Sequence, residues 1–150
     1  MLNTQLIIES LSKALEPLGK ITAYNQTFNL HYKLDPYFTK EGKLHFYIRL
    51  ELMDAGYPEP WAILSCRNEP YEDQLNDLEF FVKDWSENES WVDQMLKFPV
   101  FRDTGKVVDG LKVWELIPCE EPFHDHHDGC PSCTDIMYLI DCQNKGIAVD

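Results

Sequence analysis

Two stretches near the front of the chain alternate apolar and polar residues without a slip. In TFNLHYKL, Phe28, Leu30, Tyr32 and Leu34 fall on one face; in KLHFYIRLEL, Leu44, Phe46, Ile48, Leu50 and Leu52 do the same. His45, Tyr47, Arg49 and Glu51 lie opposite. A period of two belongs to strands, because successive side chains point to opposite faces. Such runs are committed to antiparallel sheet with one buried face, since a slip of one residue would turn the whole apolar set to water. The connection DPYFTKEG opens on Asp35-Pro36 and closes at Gly42, which predicts a hairpin with Tyr37 and Phe38 at its tip. His31 and His45 fall off the apolar faces and are expected at the surface.

Other elements follow from period and punctuation. Ile8, Leu11, Leu15 and Leu18 recur at helical steps before Gly19, predicting an N-terminal helix. WAILSCR (61–67) reads as a third strand. NEPYEDQLNDLEFFVKDW (68–85) reads as a helix with Asn68 as cap, Pro70 in the first turn and a buried stripe of Leu75, Leu78, Val82 and Trp85. Ser86 and Glu89 match a capping box for a short further helix through Trp91, Met95 and Leu96. LKVWELI (111–117) and DIMYLID (135–141) read as two neighbouring strands. The expectation is one α+β domain over 1–150: a mainly antiparallel sheet of about five strands, an N-terminal helix and one or two central helices. Cys66 and Cys142 fall in or beside predicted strands and are expected to pack as small apolar groups.

Charge narrows the class of partner. The chain has 13 basic and 26 acidic residues, a net of −13. A field of that sign repels nucleic acid and anionic membrane and steers association with basic surfaces. No apolar run reaches the ~18 residues that cross a bilayer, and Glu9 and Lys13 interrupt the N-terminal apolar pattern. A cytoplasmic location is therefore expected, where thiols stay reduced, and five cysteines do not divide into pairs.

The cysteines and histidines concentrate in PFHDHHDGCPSC (122–133). Cys130-Pro131-Ser132-Cys133 resembles the Cys-Pro-x-Cys turn of zinc knuckles, with Thr134 where glycine often follows. The preferred ligand set is Cys130, Cys133 and His126, with Cys119 or His124 as the fourth, around a structural zinc. The expected hairpin of strands 111–117 and 135–141 would bring Cys119 toward Cys133. A solvated loop with reduced cysteines is the plainer reading. A redox dithiol is set aside because a strand is expected to follow the pair and Asp125, Asp128 and Asp135 surround it. A small zinc-dependent hydrolase, with Glu120 or Glu121 as base, is an alternative.

Residues 68–93 hold nine acids against Lys83 alone. On a helix Glu69, Asp73 and Asp77 would form a row of like charges, with Glu79–Lys83 the favourable pair. Together with Glu72 and Asp84, and with Tyr37 and Phe38 as aromatic anchors, these acids are the candidate contacts for a basic protein partner. In size and charge the chain resembles immunity proteins and phage-encoded inhibitors of defence enzymes. That resemblance implies an acidic, nucleic-acid-mimicking inhibitor of a nuclease or nucleic-acid-binding enzyme. An accessory structural subunit whose acidity only keeps it soluble is a further alternative.

Overall fold

The two alternating runs pair as expected, at the centre of an antiparallel sheet. A computed structural model describes residues 3–15, 18–54, 56–98, 100–117 and 131–147, with 10–15 and 131–134 described as backbone. Strands β1 (Gly19–Ala23), β2 (Gln26–Phe38), β3 (Leu44–Leu52) and β4 (Glu59–Ile63) form the first sheet in chain order. Tyr32 lies opposite Leu50 and Leu34 opposite Ile48, and all four are buried. Strand β1 was not anticipated. It is short, and its pairing depends on a two-residue turn in which Tyr24 and Asn25 both take positive φ (53° and 62°), the geometry of a type I′ hairpin.

Half of the expected hairpin loop is strand. Strand β2 continues through Pro36 to Phe38, so Tyr37 faces His45 instead of sitting at a tip. Beyond Leu30 no β1 residue pairs with β2, so the missing N–H of Pro36 costs no ladder bond on that edge. The turn closes at Thr39–Lys43, where the Thr39 N–H donates to the Lys43 carbonyl at 2.9 Å.

WAILSCR divides between two sheets. After β4 the chain bends at Leu64, whose N–H donates to Ile48 in the first sheet (2.9 Å) and whose carbonyl accepts from Lys83 (2.8 Å). Strand β5 (Ser65–Cys66) then opens a second antiparallel sheet with β6 (Glu79–Val82), β7 (Phe101–Val108) and β8 (Leu111–Leu116), in the order β5-β6-β8-β7. The expected helix over 68–85 does not form. A 3₁₀ segment, Glu69–Gln74, leads through a turn into β6. The run Glu79–Val82 is buried on both faces, which satisfies a strand between two layers better than a one-sided helical stripe. Phe80 meets Phe101 and Trp114 in the main core, while Phe81 joins Leu75, Val108 and Val113 in a second cluster on the far face. Trp85, expected in the buried stripe, is exposed.

The capping box at Ser86 is also absent. Ser86–Asn88 and Val92–Lys97 are 3₁₀ turns without a side-chain capping bond. Strand β7 was missed because its middle is polar; it bulges between Asp103 and Val107 around Gly105 (φ 77°). Strand β8 matches its expectation. Residues 135–141, expected as a strand, lie in α2 (Pro131–Asn144). Ile136 and Ile140, four apart, both enter the core, and Pro131 suits a first helical turn. The N-terminal helix is α1 (Thr4–Leu15). It packs against α2, with the Asn3 N–H donating to Gln143 Oε1 at 2.5 Å. The result is α+β with two four-stranded antiparallel sheets and few helices, where a sheet of about five strands and one or two central helices were expected. No described helix is long and apolar enough to cross a membrane.

Two further expectations fall with these corrections. A helix, not a strand, follows Cys130, so one of the two grounds for setting aside dithiol chemistry no longer holds while the surrounding acids remain, and the hairpin that was to bring Cys119 to Cys133 is absent. His45 is 1% exposed rather than at the surface, because Leu78 and Glu79 cover the start of β3.

Candidate functional site

The acidic segment is shaped by the residue that precedes it. Arg67 leaves β5 just before the 3₁₀ turn, and three residues per turn place Glu69 and Glu72 on the same side. Arg67 forks onto Glu72, Nε to Oε2 at 3.0 Å and Nη2 to Oε1 at 2.8 Å, while Glu69 stands 3.7 Å away. The guanidinium also lies over the Tyr37 ring, 4.4 Å from its centroid. Tyr37 in turn packs on Tyr47 at 4.8 Å. Burial, then the nearby Glu72 carboxylate, pushes the Tyr37 hydroxyl well above its ordinary pKa. Tyr37 is thus a strut under Arg67. Phe38, next in sequence, is left exposed.

Five of the candidate partner contacts converge here. Tyr37 and Phe38 lead into the turn Thr39–Lys43, which faces Glu69, Glu72 and Asp73 across a cleft of about 200 Å³. Glu72 is committed inward to Arg67, with its side chain 3% exposed, so the outward carboxylates are those of Glu69 and Asp73. Asp77 turns elsewhere, accepting from Asn144 Nδ2 at 3.4 Å; burial raises its carboxyl pKa, against the lowering influence of His45 and Lys43. Asp84 lies at the other end of β6, 3.8 Å from Lys112. The row of Glu69, Asp73 and Asp77 does not exist, since it required α-helical spacing. The expected Glu79–Lys83 pair is replaced by Lys106–Glu79 and Lys83–Glu87, both at 2.7 Å.

Of the candidate zinc ligands, Cys119, His124, His126 and Cys130 lie outside the described residues. Cys133 falls in the first turn of α2, and its side chain is likewise outside the description. Among the described residues no cluster of histidine, cysteine and carboxylate could hold a metal. Cys142 is buried, and the Cys66 thiol is pushed up to about 11, first by burial and then by Asp84, in keeping with packing roles.

The sequence reading missed a second polar constellation. Glu79 and Glu115 stand opposite each other on β6 and β8, met by Lys106 at 2.7 Å and Arg102 at 2.6 Å, in an open groove of about 720 Å³ that also touches Asp73, Asp77 and Lys43. His45 lies close by, with neither ring nitrogen meeting a partner in hydrogen-bonding geometry, although the Glu79 backbone is adjacent. Burial lowers the His45 pKa, so the ring is neutral at pH 7. The only signal in the sequence was the polar face of each strand, which alternation leaves without partners.

These pairs redistribute charge. All three arginines are engaged with acids of the same chain: Arg49 with Asp35, Arg67 with Glu72 and Arg102 with Glu115. Much of the positive charge is engaged internally, and around the hairpin-turn cleft the exposed acids Glu41, Glu69 and Asp73 outnumber the exposed Lys40. Compared with protein families, with curated proteins and with solved structures, the chain shows no match.

Proposed function

We propose that this chain is a small acidic binding protein, of the inhibitor or immunity type, that engages a basic surface on a partner protein such as a nuclease or other nucleic-acid-binding enzyme in the cytoplasm. The observation that carries this reading is the cleft between Thr39–Lys43 and Glu69–Asp73. It sets the outward carboxylates of Glu69 and Asp73 across from Glu41 and Lys40 of the β2–β3 turn, on a base made rigid by the Arg67–Glu72 fork. A cleft whose exposed acids, Glu41, Glu69 and Asp73, outnumber its one exposed cation, Lys40, suits a basic partner, and a rigid base lowers the ordering cost of binding. Affinity capture from the native host at low and high salt tests it. A partner retained at low salt, shed at high salt and lost with the double change E69Q/D73N supports the reading; no partner at either salt overturns it.

The same proposal includes a structural zinc held by Cys130, Cys133 and His126 with Cys119 or His124. It is supported by the density of ligand-type side chains in that segment. Elemental analysis of the purified protein is expected to give zinc, lost on changing Cys130 and Cys133 to serine. Metal-free protein as isolated would remove the zinc from the proposal without touching the acidic cleft.

A further inference from the structure

At the opposite end of β6 from that cleft, the chain holds an indole in water. Trp85 is 44% exposed, whereas Trp91 and Trp114 are buried. The backbone beside it is held by the turn that follows. Ser86 takes φ +59°, a left-handed conformation that non-glycine residues adopt at a cost. Asn88, fully buried, donates through Nδ2 to the carbonyls of Ile63 (2.8 Å) and Lys83 (2.9 Å), clamping the turn to the end of β4. From the β1–β2 turn, the Tyr24 hydroxyl donates to the Glu87 carbonyl at 2.8 Å. Three elements therefore meet at one pinned turn, and each leaves an apolar side chain outward: Tyr24, Ile63 and Trp85.

The charge around this patch is negative. Glu87, Glu89 and Asp93 are exposed, and Asp84 is half-buried beside them in sequence. Lys83 is held by Glu87 at 2.7 Å and keeps that carboxyl down at about 2, so it stays ionised. An exposed indole face attracts a cation through its ring quadrupole, and tryptophan is the residue most enriched at binding hot spots. A second copy of the chain, also at −13, would be repelled, as would an anionic membrane.

We propose that the Trp85 turn is a docking surface for an arginine- or lysine-presenting segment of a partner protein, with the indole taking the cationic head group and the exposed Glu89 of the same turn lending it negative charge. The inference rests on the reading of the chain as a binder of basic partners, and adds a second contact to the acidic cleft. The turn is already set before binding, so the partner meets a surface whose ordering cost is spent.

The test uses the full chain and a hexa-arginine peptide, titrated at about 50 mM salt and followed by calorimetry. W85A is expected to weaken binding by at least about tenfold, W85F to recover part of the loss, and E69Q/D73N to weaken it less than W85A does. Unchanged thermal melting of W85A shows that the fold is intact. If W85A binds as well as the parent while E69Q/D73N binds more weakly, the Trp85 surface is wrong and the acidic cleft stands. If the parent chain does not bind the peptide at all, both readings fall.

Discussion

Glu79 and Glu115 face each other across the β6–β8 pair, both buried, and β7 supplies a cation to each. Arg102 reaches Glu115 from the directly opposed position, whereas Lys106 reaches Glu79 because the β7 bulge carries it past the regular ladder. Two carboxylates side by side in a partly dry site repel, and each is tolerable only with its own counter-charge. Lys106→Met should therefore cost about 1–3 kcal/mol in a urea titration, by leaving Glu79 buried with fewer donors. The double change Lys106→Met with Glu79→Gln should cost less than the two single changes combined. Strict additivity would show that the pair is not coupled.

Arg67 and Glu72 make the corresponding pair at the acidic cleft. Because the Glu72 side chain is 3% exposed, Arg67→Leu should destabilise by about 3 kcal/mol, read as a fall in melting temperature. Arg67→Lys should restore less than half of that, since an ammonium cannot reproduce the two-point fork or lie flat over Tyr37. Full restoration by lysine would mean that charge alone matters there.

His45 gives a pH signature. Its folded-state pKa lies below the unfolded value because burial opposes the charged ring, with Asp77 and Glu72 only partly offsetting this. The unfolded chain therefore takes up the proton first. The stability tied to neutral His45 is complete above about pH 6.5 and is lost as pH falls toward the depressed folded value. His45→Phe removes two buried nitrogens without hydrogen-bond partners. It should match or exceed the parent in stability at pH 7 and lose less between pH 7 and pH 5. Asp77, whose pKa is raised, acts in the opposite direction at more acid pH. An unaltered pH profile in the variant would dismiss His45 as the titrating group.

Gly19 begins β1 with φ +139°, and a Cβ there would stand 2.9 Å from the Phe98 ring. Gly19→Ala should cost about 1–3 kcal/mol from backbone strain and overpacking together. Adding Phe98→Leu should relieve the steric part only, so the double variant should remain below the Phe98→Leu single variant in denaturant midpoint. Equal midpoints would show that φ at position 19 adjusts freely.

The strongest periodicities were legible directly. The alternation of β2 and β3 fixed their pairing face, and helix α1 followed from its three- and four-residue steps. Sequence reading failed where one apolar pattern satisfies two elements. Leu75, Leu78 and Val82 fit a helical stripe as well as they fit a turn and a buried strand, and DIMYLID fits a strand as well as the helix it forms. For the candidate site, the residue types were right and their arrangement was not. Glu69 and Asp73 remain outward, but Glu72 serves Arg67, Asp77 turns to Asn144, and Trp85 stands in water.

What the sequence settles alone is the acidic balance, the antiparallel α+β character and the half-buried hairpin, because these follow from composition and from side-chain periods along a short stretch of chain. What the tertiary structure decides is which sheet each strand joins and which acids are neutralised. Those outcomes depend on contacts between residues far apart in the chain, such as Glu79 with Lys106 and Asn88 with Ile63, and no local pattern encodes a partner that only folding brings near.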